Sequence, residues 1–97
     1  MSGTLTYWVS LGEGRLRSVR LTICSEDDRK TRGLADLRRR RLSRLLNEAR
    51  LQGARLSYKD LSLIMLTSRA TLKRDVSHLR GLGMEIPLKG QNKQKIN

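Results

Sequence analysis

From Thr4 to Leu11 apolar and polar positions alternate, placing Leu5, Tyr7, Val9 and Leu11 on one face. After Gly12-Glu13-Gly14 the alternation resumes at Leu16 and carries Val19, Leu21 and Ile23 up to Cys24. Two period-two runs around a glycine-containing turn predict a β-hairpin. A lone hairpin is marginal in water, so this one must pack on other elements or pair with another chain. Trp8 falls on the face opposite Tyr7 and Val9, where it reads as a packing residue or part of a subunit contact.

Beyond the hairpin the period lengthens. Ser25 followed by Glu26-Asp27-Asp28 marks a helix start, with serine as N-cap and acids in the first turn, and Gly33 closes that short element. Leu34 to Leu51 predicts the longest helix, with Leu34, Leu42, Leu45, Leu46 and Ala49 in one stripe and Gly53 as its stop. Ser57 caps the next helix with Asp60 three residues on, and Leu61, Ile64 and Met65 form its buried side. Thr67-Ser68 breaks that helix. Ser68 caps the last one, in which Leu72, Val76, Leu79 and Leu82 cluster on one side before Gly81 and Gly83 end it. The pattern predicts a mainly α, α+β fold with an N-terminal β-hairpin. Its parts are a hairpin and connecting segment over 1–33, a three-helix, helix-turn-helix DNA-binding domain over 34–90, and a flexible polar tail over 91–97.

Charge sharpens this picture. The 97 residues carry a net charge of +12 with a sequence pI near 11.3, which favours a polyanionic partner. Residues 34–83 hold twelve Lys/Arg against four acids, whereas 1–33 hold six against four and 84–97 three against one. The cations therefore concentrate in the helical part, where they form a surface patch and not merely a basic tail. With three aromatics and no Phe, the core must come mainly from Leu, Ile, Val and Met.

Several functions find no residues to support them. The longest apolar run, Leu63-Ile64-Met65-Leu66, is far short of a membrane span, and MSGTLTYW does not read as a signal peptide. The expectation is a soluble, cytoplasmic protein without membrane association. Cys24 stands alone and is read as a small core residue; with His78 it makes a poor metal pair. The acids are dispersed, and Gly12-Glu13-Gly14 is explained by turn chemistry. We expect no enzyme activity, no metal, no cofactor and no small-molecule ligand.

Projected at about 100° per residue, the segment 68–82 places Ala70, Lys73, Arg74 and Ser77 opposite its apolar stripe, with Arg69, His78 and Arg80 at the edges. Such a face suits the major groove. Ala70 permits close approach, Lys73 and Arg74 can donate to guanine or phosphate, and Ser77 can bond either edge. Ser68, Arg69 and Thr71 lie at the helix N-terminus, better placed for phosphate. In the run Arg38-Arg39-Arg40-Arg41, Arg39 and Arg40 face away from the apolar stripe and are further candidates for DNA contact, while Arg38 and Arg41 fall close to the stripe and snorkel.

The segment LSYKDLSLIMLTSRATLKRDVSHLRGLG resembles the helix-turn-helix of winged-helix repressors, including the DeoR type, through Ser68, Thr71, Leu72, Arg74, Asp75, Val76 and Leu79 in the order S-x-x-T-h-x-R-D-h-x-x-L, where h is apolar. LRRRRLSRLLNEARLQGARLSYKDL with RDVSHLRGLGMEIPLKG, and the upstream VRLTICSEDD, are similar to an uncharacterised prokaryotic family, domain of unknown function 1670. The resemblance covers about residues 5–90. It implies a winged helix-turn-helix in which Arg74 and Ser68 contact DNA and Asp75 braces the helix through an arginine such as Arg41. No second wing strand is evident, so Lys89 and Lys93 are left to reach phosphates from a loose arm.

The sequence is thus read as a double-stranded DNA-binding protein, a sequence-specific transcriptional regulator expected to form a homodimer, with the hairpin and Trp8 as the dimer surface. Two rivals stand beside it. One is an RNA-binding protein gripping structured RNA through the arginine-rich helix. The other is a protein-docking module for an acidic partner.

Overall fold

A computed structural model describes residues 3–89; the tail expected over 91–97, with Lys93, lies outside the described residues. Strands β1 (Gly3–Gly12) and β2 (Arg15–Cys24) form an antiparallel hairpin. Glu13 and Gly14 link them with φ of 55° and 76°, the left-handed pair that a tight hairpin turn requires. A short 3-10 segment, Glu26–Lys30, follows. Three helices complete the chain: α1 (Leu34–Leu51), α2 (Tyr58–Met65) and α3 (Arg69–Gly81).

The caps fall where the sequence puts them. Ser25 and Ser57 each form a reciprocal capping box, with Asp28 and Asp60 respectively. Ser68 accepts from the main-chain N–H of Thr71 at 3.2 Å. Asp60 also accepts the Tyr7 hydroxyl at 2.6 Å, so the α2 cap is tied to β1.

One core joins hairpin and helices. Val9, Val19 and Leu21 from the sheet meet Leu42, Leu45, Leu46 and Ala49 of α1, Leu61 of α2, and Leu72, Val76 and Leu79 of α3. Two stripe residues depart from expectation. Leu34 is 80% exposed, because the first turn of α1 has no packed layer opposite it, and Leu82 is 66% exposed. Leu82 is the C-cap residue of α3, with ψ near 4°, so the helical projection no longer applies to it.

The hairpin is also held by polar contacts along its β2 edge. Arg44 and Glu48 of α1 and Gln52, its C-cap residue, follow one another on one side at four-residue spacing. Glu48 accepts the Thr22 N–H at 2.7 Å, Arg44 donates to the Thr22 and Ile23 carbonyls, and Gln52 both accepts from and donates to Arg20 at 2.8 Å. A helix thus supplies the hydrogen bonds that a third strand would.

After α3 the chain runs without regular structure through the buried Ile86 and Leu88, and the Lys89 N–H donates to the Leu56 carbonyl at 3.0 Å.

Candidate nucleic-acid interface

Helices α2 and α3 are joined by the turn Leu66-Thr67-Ser68. Leu66 takes a left-handed conformation (φ 53°, ψ 46°), and the Ser62 hydroxyl donates to the Thr67 carbonyl at 2.7 Å to close the bend. This geometry reverses the chain tightly enough for α3 to bury Leu72, Asp75, Val76 and Leu79 while its other side faces solvent.

That outer side carries Arg69, Ala70, Lys73, Arg74, Ser77 and His78, all exposed, as the helical projection requires. It holds no acid. Lys73 lies 5.7 Å from the centre of the Tyr58 ring, which restrains its ammonium by a cation–π contact. Ser68 and Thr71 are largely occupied in capping: the Ser68 hydroxyl donates to the Thr71 hydroxyl at 3.0 Å, and Arg74 reaches the same oxygen at 3.5 Å.

Behind this face sits Asp75, 1% exposed. Arg38 grips it in a bidentate pair, donating from Nε to Oδ2 and from Nη2 to Oδ1 (2.8 Å for the latter), and Arg39 donates to it at 3.1 Å. Burial pushes the Asp75 carboxyl up, but the hydrogen bonds and charges of Arg38 and Arg39 outweigh it and hold the group below the usual carboxylate range. The same contact raises the Arg38 guanidinium. Asp75 is therefore braced by Arg38 and Arg39, not by Arg41. Arg41 instead pairs with Asp28 at 3.1 Å, and Arg44 donates to the same carboxylate at 2.8 Å. The Arg44 bond, against burial and with help from Arg41 and the Ser25 N–H, holds Asp28 far below the usual range.

The remaining candidates are placed apart from the α3 face. Arg39 does not point freely outward as the helical wheel suggests, because the buried Asp75 draws it in to 29% exposure. Arg40 is more open, with contacts of 3.9 Å to Asp27 and Asp28. Lys89 is not on a loose arm: its ammonium donates to the Ser10 carbonyl of β1 at 2.6 Å.

The sequence reading also missed a second, mixed-charge surface with an excess of arginine. An open groove of about 990 Å³ runs along α1 past the end of α3, where Arg39, Arg40, Arg44, Arg50 and Arg55 line it together with the acids Asp27, Asp36 and Glu85. Arg50 and Arg55 lie near the end of α1 and just beyond it, outside the arginine run, and their separation in sequence hid the cluster. Their one available signal was that no acid lies three or four residues from either of them. Among the described residues no three potential metal-ligating side chains lie together, and no helix is long and apolar enough to cross a membrane.

Residues 4–95 match the family model described as "Protein of unknown function (DUF1670)". No curated protein and no solved structure matches the chain.

Proposed function

The chain belongs to the DUF1670 family, whose description assigns no activity, and we propose that it is a sequence-specific double-stranded DNA-binding protein that regulates transcription, with α3 as the recognition helix. The observation that carries this reading is the outer face of α3. It is cationic and polar, free of acids, narrow at Ala70, and presented by a tight helix-turn-helix whose single α3 acid is buried and neutralised from behind. A helix about 10–12 Å across fits a B-form major groove about 12 Å wide. Arg74 and Lys73 then reach base edges and Arg69 the backbone. The Lys89–Leu56 main-chain bond is compatible with a winged variant of the fold related to DeoR-type repressors.

Selection from a randomised duplex library at near-physiological salt tests this. We expect an enriched motif that Arg74→Ala relaxes, while Arg40→Ala weakens binding to all sequences alike. With about five phosphates contacted, log affinity against log salt should slope near −4.5. A flat response or equal, sequence-blind losses from both variants would remove the assignment.

The groove along α1 favours a second reading, recognition of structured RNA by shape and phosphate contact. A folded RNA of equal charge that outcompetes duplex DNA, with binding lost in Arg55→Ala and retained in Arg74→Ala, would establish it. Failure to bind either nucleic acid would leave docking to an acidic protein.

A further inference from the structure

The two edges of the hairpin are treated very differently. Along β2, the main-chain groups of Arg20 and Thr22 point away from β1, since they bond to side chains of α1 and of its C-cap residue Gln52. In an antiparallel pair, residues directly opposite share the same hydrogen-bonding state, and that state alternates along the strand. Arg20 is opposite Thr6 and Thr22 opposite Thr4. Thr4, Thr6, Trp8 and Ser10 therefore turn their N–H and C=O groups outward along the free edge of β1. The Ser10 carbonyl confirms the phase, because it receives the Lys89 ammonium from outside the sheet. The main-chain groups of Thr4, Thr6 and Trp8 have no such partner among the described residues.

Exposed edges are ordinarily guarded by charge, proline or a bulge. Here GTLTYWVSLG contains neither a charged residue nor proline, and its register shifts occur only at the two ends, Gly3/Thr4 and Ser10/Gly12. In a chain of net charge +12 this is a neutral stretch of ten residues. It is a strand edge that brings no charge of its own to a contact between two copies.

We propose that the free edge of β1 pairs with β1 of a second copy of this chain, antiparallel about a two-fold axis at Thr6, to form a four-stranded sheet in the order β2-β1-β1-β2. Lys89 blocks the edge at Ser10, so the open segment runs from Thr4 to Trp8 and its midpoint is Thr6. In that register Thr6 faces Thr6 of the second copy and Thr4 faces Trp8. Each outward-facing residue completes both its bonds. On the outer face the Trp8 indole, 61% exposed in the single chain, covers the Thr4 methyl of the other copy. The inner face keeps its present contacts, including the Tyr7–Asp60 bond. Nothing in this pairing requires nucleic acid, so it stands or falls apart from the DNA reading.

The test is the solution mass of the whole chain by sedimentation, at salt high enough to screen its charge and without nucleic acid, together with amide exchange. We expect a mass twice 11.1 kDa, with the Thr4, Thr6 and Trp8 amides slowing as concentration rises while those of Leu5 and Tyr7 stay slow throughout. Thr6→Lys sets two cations opposite each other at the axis and should return the chain to a monomer with unchanged circular dichroism. Ser18→Lys, on the same outer face but on β2, should leave the dimer intact and controls for loss of folding. A monomer at all concentrations, as when residues 90–97 or a foreign strand occupy the edge, overturns the proposal. So does a dimer that survives Thr6→Lys or leaves those three amides unprotected.

Discussion

Two aspartates decide how the arginine run is used. Asp28 and Asp75 are both buried, and Arg38, Arg39, Arg41 and Arg44 converge on them from α1. Removing one partner of such a cluster leaves uncompensated charge, so Asp75→Ala should destabilise the fold by about 3 kcal/mol, the low end for buried pairs because the arginines keep partial access to water. Chemical denaturation measures this; a loss below about 1 kcal/mol would show that the cluster is not energetically coupled to the core. Both carboxyls titrate below their ordinary value in the folded chain. Their contribution is complete above the unfolded pKa of about 3.9, and it is lost as pH falls through and below that value. Thermal stability should therefore hold down to about pH 5 and drop steeply below pH 4, and Asp28→Asn should flatten the drop. Tyr7 acts in the opposite direction: burial and Asp60 push its hydroxyl up to about 12, so stability is lost as pH rises from about 10 towards that value. The arginine run is legible in sequence as charge, but not as structure. Arg38 and Asp75 are 37 positions apart, and only the packing of α1 against α3 shows that these cations are structural anchors first. Leu66 is another such residue, with φ of 53° that glycine adopts without strain. Leu66→Gly should stabilise the fold by roughly 0.5–1 kcal/mol, the left-handed penalty less the entropy of glycine.

At the level of elements the sequence is far more transparent, because each boundary carries its own chemistry. Ser25, Ser57 and Ser68 cap as read, and α1 spans Leu34 to Leu51 as expected, although both end residues are exposed and its buried stripe is Leu42, Leu45, Leu46 and Ala49. What the stripe cannot show is the polar row of Arg44, Glu48 and Gln52, since at four-residue spacing it resembles any solvated helix face. It docks α1 on the edge of β2 and fixes which edge of the hairpin is left open. Glu48→Ala should release the Thr22 amide, at a cost of about 1 kcal/mol. Hydrogen exchange should then quicken at Thr22 and not at Leu21, whose amide faces β1. Equal quickening at both would mean that the whole hairpin had detached and that the row acts as a single clamp.

Across the whole molecule the ion clusters and the free cations respond to salt in opposite senses. The buried aspartates are shielded from solvent ions, so their pairs weaken little as salt is added. The outer face of α3 holds Arg69, Lys73 and Arg74 near one another on a body of 39 × 30 × 22 Å, and their repulsion is screened at ionic strengths above about 0.1 M, where the Debye length is near 10 Å. Raising sodium chloride from about 0.05 to 0.5 M should therefore increase the thermal midpoint, by roughly 4–8 °C for each kcal/mol of repulsion relieved in a domain of this size. The same change should weaken a polyanionic ligand through counterion release. On the proposed DNA-binding reading, duplex DNA in hundredfold excess over its dissociation constant at low salt should add about 2.7 kcal/mol of stability. That increment should vanish at high salt while the bare protein grows more stable. If salt lowers the midpoint of the bare chain, the surface cations are already balanced by acids at the surface, and the positive field at α3 is weaker than the net charge implies.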